Sequence, residues 1–197
     1  MPSVNERILL NSDRLLNIAW RSIKYGFKSK SPCILSLDDL PPLLLEKHSA
    51  FITLTKNKEL RGCIGTIFPR FTLAQEVANN AFSAAFRDPR FSPLEDFEFE
   101  KIQIEISVLT RPEPLIVDSE EDLLAKIVPG QDGIILTEGR HSATFLPAVW
   151  ESIPDPKLFI TELKLKAGIS TDSWPASMQV ERYKALKFSD GPNVNKA

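Results

Sequence analysis

The stretch KIQIEISVL, residues 101 to 109, constrains this chain more than any other segment. It alternates apolar and polar side chains, so Ile102, Ile104, Ile106 and Val108 share one face of a strand. Gln103, Glu105 and Ser107 share the other face. Further strand material lies on both sides. AFITLTK, residues 50 to 56, alternates in the same way, and ELRGCIGTI follows after the dipeptide NK, which predicts a β-hairpin. DGIILTEGRHSATFL predicts a second hairpin with Gly139 in its turn. MQVERYKALKF, near the C-terminus, reads as a strand, with a helix as the alternative.

Helical patterns separate these strands. Val4, Ile8, Leu15, Ala19 and Ile23 fall on one apolar face of a long helix, with Ser3 as its N-cap and Gly26 as its stop. SKSPCILSLDDLPP, with three prolines, reads as a loop, and Asp38 and Asp39 end a turn in it. In TLAQEVANNAFSAAF, Leu73, Val77, Ala81 and Ala84 lie on one face, flanked by alanines small enough for close approach to a sheet. Pro89 and Pro93 end that helix. DSEEDLLAKI predicts a short helix with Ser119 and Asp122 at capping spacing. DPKLFITELKLKAG predicts a helix from Asp155 and Pro156 to Gly168. Helices set between hairpins indicate an α+β fold with mainly antiparallel sheet.

Composition narrows the functional classes. At 43% hydrophobic and 25% charged residues the 197-residue chain has ordinary globular material. Its net charge of −2, with no lysine- or arginine-rich run, disfavours nucleic acid as a partner. Cys33 and Cys63 are too few for a disulfide framework or a four-cysteine zinc site, and His48 and His141 are too few for a histidine-metal site. No metal and no cofactor fingerprint is therefore expected. The polar N-terminus and short apolar runs suggest neither a signal peptide nor a membrane span, so a cytoplasmic protein with reduced thiols is expected.

ELRGCIGT, residues 59 to 66, places two glycines around one of the cysteines. As regular strand it sets Leu60, Gly62 and Ile64 on one face and Arg61, Cys63 and Gly65 on the other. A guanidinium beside a thiol favours thiolate, and Gly65 would leave space beside the sulfur. Gly62 would permit close backbone approach or a bulge. The same residues also suit plain packing, with Cys63 as a small hydrophobe and Arg61 paired to a carboxylate nearby. A nucleophilic Cys63 would want a base, and His48, just ahead of the first hairpin strand, is the histidine placed to approach it. His141 reads as an exposed residue of the second hairpin's turn.

The segments FITL, LRGCIGT, AFSAAFRDPRF, IEISVLT, DGIIL, FLP and KAG occur in this order. In them the chain resembles the AMME chromosomal region (AMMECR) domain family, whose hallmark is LRGCIG, from about residue 10 to 190. The resemblance implies one AMMECR-type domain over residues 1–190, an α+β fold of two unequal lobes with the hallmark motif near the cleft between them, and residues 191–197 as a frayed tail. It also implies association with Memo-type and radical-SAM proteins, without fixing a reaction.

Carried across by residue, the motifs fall on Arg61, Gly62, Cys63 and Gly65, on Asp88 and Arg90 of the DPRF segment, and on Glu105 and Ser107 of the strand. Asp88 could cap the preceding helix or pair with Arg90, with Phe91 as a core anchor. Alternatively, Asp88 and Arg90 rim the same cleft as Arg61. Glu105 and Ser107 suit solvent exposure equally well. One departure from the family pattern is LPAV, where Ala148 replaces an amide side chain, and His48 and His141 match no family motif. Two functions follow. One is a binding or regulatory module that holds a small anionic ligand or a partner peptide at LRGCIG through Arg61 and Arg90. The other is an enzyme with Cys63 as its catalytic nucleophile in a radical-SAM-linked modification.

Overall fold

The computed structural model describes residues 3–190, so the tail expected at 191–197 lies outside the described residues. In chain order the elements are α1 (Val4–Leu9), α2 (Ser12–Ser29), β1 (Ala50–Lys56), β2 (Glu59–Gly65), α3 (Leu73–Phe86), β3 (Ile102–Leu109), β4 (Glu113–Pro114), α4 (Glu120–Lys126), β5 (Gly133–Glu138), β6 (His141–Phe145), α5 (Pro156–Ala167), β7 (Gln179–Tyr183) and β8 (Ala185–Ser189). Short 3-10 turns at Pro42–Leu45, Asp96–Lys101 and Pro147–Glu151 join them. The architecture is α+β, with two four-stranded sheets ordered β2-β1-β3-β8 and β4-β7-β5-β6. The chain forms two compact units. One runs to Leu109 and takes in the chain again from Leu186; the other is Thr110–Ala185.

In the first unit, α2 and α3 cover one face of the sheet. Ile52, Leu54, Ile102, Ile104, Ile106 and Val108 are buried there, as their alternation requires. The alanines of α3 are buried with them in one apolar cluster with Leu15, Ala19 and Ile23 of α2. Trp20 meets Phe99 edge to face at 5.0 Å.

The N-terminal helix corrects the sequence reading. It is two helices, because the chain breaks at Leu10 and Asn11, where the Asn11 amide donates to Arg7 O at 2.8 Å. Asparagine competes for backbone groups in this way and so disfavours a helix interior. Ser3 does cap α1, in a reciprocal box with Glu6. Gly26 is not a stop. α2 continues to Ser29 and closes at Lys30, whose φ is +56°. Gly26 is where α2 crosses α3, and a Cβ there would overlap the rings of Phe82 and Phe86.

In the second unit, α5 starts at Asp155 and Pro156 and ends at Gly168, as the caps predict. Phe159 of α5 stacks flat on Trp150 at 3.7 Å. Lys164 is fully buried, and its ammonium donates to Glu120 Oε2 at 2.8 Å and to the carbonyls of Thr171 and Ser173. The terminal strand segment is two strands, with β7 in this unit's sheet and β8 in the other. His141 opens β6 rather than sitting in the turn, and its exposed ring lies 3.3 Å from Ala167 O.

Candidate functional site

The first hairpin turns through Asn57 and Lys58, both with positive φ, the backbone of a type I′ turn. A two-residue turn sets the register, and Lys56 faces Glu59 and Thr55 faces Leu60. The register then shifts. Leu54 faces Gly62 and Thr53 faces Cys63, so Arg61 is the extra residue of a β-bulge.

The bulge breaks the strand parity expected from the sequence. Leu60, opposite Thr55, falls on the outer face and is 45% exposed, while Gly62 and Ile64 face the core side with Leu54 and Ile52. Gly62 is required there, because a Cβ would run into the carbonyl oxygen of Ala84 in α3. The close approach expected at Gly62 is present, and the bulge lies beside it at Arg61.

Arg61 does not stand beside the thiol. Its guanidinium forks onto Glu98, with Nε to Oε1 at 3.1 Å and Nη2 to Oε2 at 2.8 Å, and Nη1 donates to Ser92 O. Lys56 donates to the same carboxylate at 2.8 Å. The Arg61 hydrogen bonds, helped by Lys56, overcome burial and lower the Glu98 pKa to about 2. Arg61 is thus a partly buried cation held by Glu98 and Ser92. Gly65 does not open space beside the sulfur either. The ring of Phe51 lies over it, where a Cβ would collide.

Cys63 has other partners. Its backbone N–H donates to Asp88 Oδ2 at 2.8 Å, and its carbonyl accepts from Arg90 Nη2 at 3.2 Å. β2 is an edge strand, so Asp88 and Arg90 take up main-chain groups that would otherwise face outward. Thr53 and Cys63 then form a non-hydrogen-bonded pair, the type with the closer side chains. Thr53 Oγ1 lies 3.3 Å from Cys63 Sγ.

Asp88 does not cap α3, whose C-cap is Arg87. It is buried, and Arg90 clasps it through Nε at 3.0 Å and Nη2 at 2.7 Å. These bonds, with the N–H groups of Cys63 and Arg90, hold its carboxyl far below the usual carboxylate range despite burial. The Arg90 side chain is 53% exposed and rests against Phe91.

The remaining candidates share the outer face. β1 pairs with β3 so that Thr53 faces Glu105 and Phe51 faces Ser107. One row therefore reads Cys63, Thr53, Glu105, and the next reads Gly65, Phe51, Ser107. Glu105 lies 4.0 Å from Lys187 of β8. Neither histidine belongs to this group. His48 is buried, with its Nε2 3.5 Å from Glu46, and His141 is in the other unit.

The sequence reading missed Thr53, Glu98 and the support of the loop after β2. Glu76, buried on α3, accepts from the N–H groups of Arg70 and Phe71 and from Thr66 Oγ1. Asn80 adds bonds to Thr66 and Ala50 O, and Ser49 donates to Ile67 O. Hairpin register could have pointed to Thr53; nothing local marks Glu98.

A model of the AMMECR1 family matches residues 16–188. The chain belongs to the AMMECR1 family. Among similar proteins, protein SSO0193 of Saccharolobus solfataricus is 38% identical over 183 residues, covering 89% of this chain and 80% of that one. A Methanosarcina acetivorans protein is 37% identical over 153 residues, covering 77% and 76%. The crystal structure of protein PH0010 from Pyrococcus horikoshii superposes with a TM-score of 0.76 at 34% identity, over 90% of each chain. This AMMECR1-family chain therefore shares the α+β fold of PH0010. Among the described residues, no helix is long and apolar enough to cross a membrane.

Proposed function

We propose that this AMMECR1-family chain is a cytoplasmic binding or regulatory module that holds a small anionic ligand or an acidic partner peptide at the LRGCIG strand. One observation carries the reading: the Asp88–Arg90 clip on the main chain of Cys63. It fixes a half-exposed guanidinium beside the strand, next to the Cys63 side chain. A preorganised guanidinium of this kind suits a carboxylate or phosphate, because little side-chain freedom remains to be lost. Arg90 is one of the two arginines expected to supply charge-assisted hydrogen bonds to the ligand. Memo-type and radical-SAM proteins are the partners with which the module would act.

The test is a thermal-shift series with inorganic phosphate and with acidic peptides, comparing wild type with Arg90→Lys and Arg90→Ala. The reading expects ligand-dependent shifts that shrink in both variants. Equal shifts in all three proteins, or none, would remove it.

The Thr53–Cys63 contact favours a second reading, in which Cys63 is the nucleophile of a radical-SAM-linked modification. Its alkylation rate against pH decides the matter. A thiol titrating near ~8.5, and no faster than a model thiol, leaves that reading without chemistry.

A further inference from the structure

β2 is the outermost strand of its sheet, in the order β2-β1-β3-β8. Its free edge is closed at Cys63 and open at Gly65. Thr66 N–H donates to Ala50 O at 3.3 Å, so the Ala50–Thr66 pair is hydrogen-bonded and the neighbouring Phe51–Gly65 pair is not. The N–H and C=O of Gly65 therefore point away from β1, in the same direction as those of Cys63. At Cys63 both groups are taken, by Asp88 Oδ2 and Arg90 Nη2. At Gly65 neither loop nor side chain among the described residues supplies a partner.

An open strand edge is a template for another strand. Here it offers one hydrogen-bonded residue pair before the Asp88–Arg90 clip. A strand running through would lay its backbone on the clip, whereas a chain that ends opposite Gly65 would not. The clip also sets the charge at that point. Asp88 is buried and Arg90 is half-exposed, so the guanidinium is the charge presented at the edge. A guanidinium has five N–H donors, and the clip takes three of them. The backbone just beyond Gly65 is held in line, because Thr66 is tied to Ala50 O and, through Oγ1, to Glu76.

We propose that this edge captures the C-terminal residue of a partner peptide, with Arg90 as the anion site proposed above, on which this assignment rests. The peptide lies antiparallel to β2. Its last residue donates its N–H to Gly65 C=O. One oxygen of its terminal carboxylate accepts the Gly65 N–H, and the other meets the Arg90 guanidinium. Antiparallel pairing points the peptide's C-terminal end from Gly65 toward Cys63, which brings the carboxylate to Arg90. A parallel chain ending there would set its ammonium group against the guanidinium, so like charges exclude it.

The experiment follows the Gly65 amide of the full chain by NMR during titration with acetylated tetrapeptides, rich in β-branched residues to favour an extended backbone. The first is acetyl-Thr-Val-Thr-Val with a free carboxylate. The second is its C-terminal amide, and the third is the free acid ending in N-methylvaline. The fourth is acetyl-Thr-Val-Asp-Val-amide, whose carboxylate is in a side chain. The free acid should shift the Gly65 resonance and, at about ten times its Kd, slow hydrogen exchange at that amide about tenfold by occupancy. The other peptides should bind about tenfold more weakly or worse, for loss of a charge-assisted or main-chain hydrogen bond. Arg90→Ala should weaken the free acid to the level of the amide. Should that variant fail to fold, the peptide series on the unaltered chain carries the comparison. The proposal is overturned by equal binding of acid and amide, by equal binding of the N-methylated peptide, or by no change at Gly65 at about 10 mM, tenfold above a millimolar Kd. The aspartyl peptide separates the two readings. If it binds as tightly as the free acid and loses that binding in Arg90→Ala, the terminus is wrong while Arg90 stands as an anion site. If acid binding is unchanged in Arg90→Ala, both fall.

Discussion

The carboxylate of Asp88 accepts the backbone N–H of Cys63 at 2.8 Å, across 25 residues of sequence. It ties the turn after α3 to the open edge of β2, at the residue that gives the hallmark motif its thiol. Removing the carboxylate leaves the Cys63 N–H and the Arg90 guanidinium without their acceptor. Because the half-exposed Arg90 guanidinium is solvated once freed, the loss is mainly that of the hydrogen bonds to the buried carboxylate, about 1–3 kcal/mol. Asp88→Ala should lose stability on that order in urea unfolding, and Asp88→Asn less, since one acceptor oxygen remains. The Cys63 amide should also exchange hydrogen faster in both. An unchanged amide would mean that the clip does not guard the strand edge.

Glu98 gives the fold an acid-sensitive joint. Its usual pKa of 4.5 falls to about 2 in the folded chain, chiefly through the Arg61 hydrogen bonds. The folded pKa is depressed, so the stabilisation is complete above the unfolded value and is lost as pH falls through the folded one. Asp88 shifts in the same direction. The melting temperature should therefore fall between about pH 5 and pH 2. Glu98→Gln should be less stable at neutral pH and show a shallower acid limb. A parallel acid limb in the variant would assign the sensitivity to other carboxylates.

The two glycines of the motif answer to different neighbours. A Cβ at Gly62 meets the Ala84 carbonyl, which belongs to a helix backbone. A Cβ at Gly65 meets the Phe51 ring and the Phe51 Cα. Overpacking of this kind costs about 1–3 kcal/mol. Gly62→Ala and Gly65→Ala should both destabilise the chain in chemical denaturation. Phe51→Leu should relieve part of the Gly65→Ala defect and none of the Gly62→Ala defect. Equal relief of both would show that the two positions share one strain.

The fold was legible in the sequence wherever alternation or capping decided it. The Ile102–Val108 face, the Asn57–Lys58 turn and the Asp155 cap all depend on neighbours close along the chain. The site was legible only in part. Asp88 and Arg90 do meet Cys63, but strand parity put Arg61 beside the thiol and Leu60 with Gly62. One inserted residue reverses both assignments, because side chains alternate with a period of two. The partner that draws Arg61 away, Glu98, stands 37 residues along the chain in a 3-10 turn that no local pattern marks.

Glu76 holds the loop that continues the motif. One buried carboxylate receives the Arg70 and Phe71 N–H groups on Oε1 and the Thr66 hydroxyl on Oε2. The loop it fixes carries Phe68, 72% exposed, which no apolar packing would hold in place. Its order therefore depends on polar bonds, and hydrogen bonds to a charged acceptor contribute about 1.5–3 kcal/mol each. Glu76→Ala should raise exchange at the Arg70 and Phe71 amides while the β1 and β3 amides stay protected. Glu76→Gln should give an intermediate result, because its amide keeps one acceptor oxygen and turns donors toward the other group. If Glu76→Ala leaves the two loop amides protected, the loop is held by Ser49 and Asn80 instead, and the carboxylate is not its clasp.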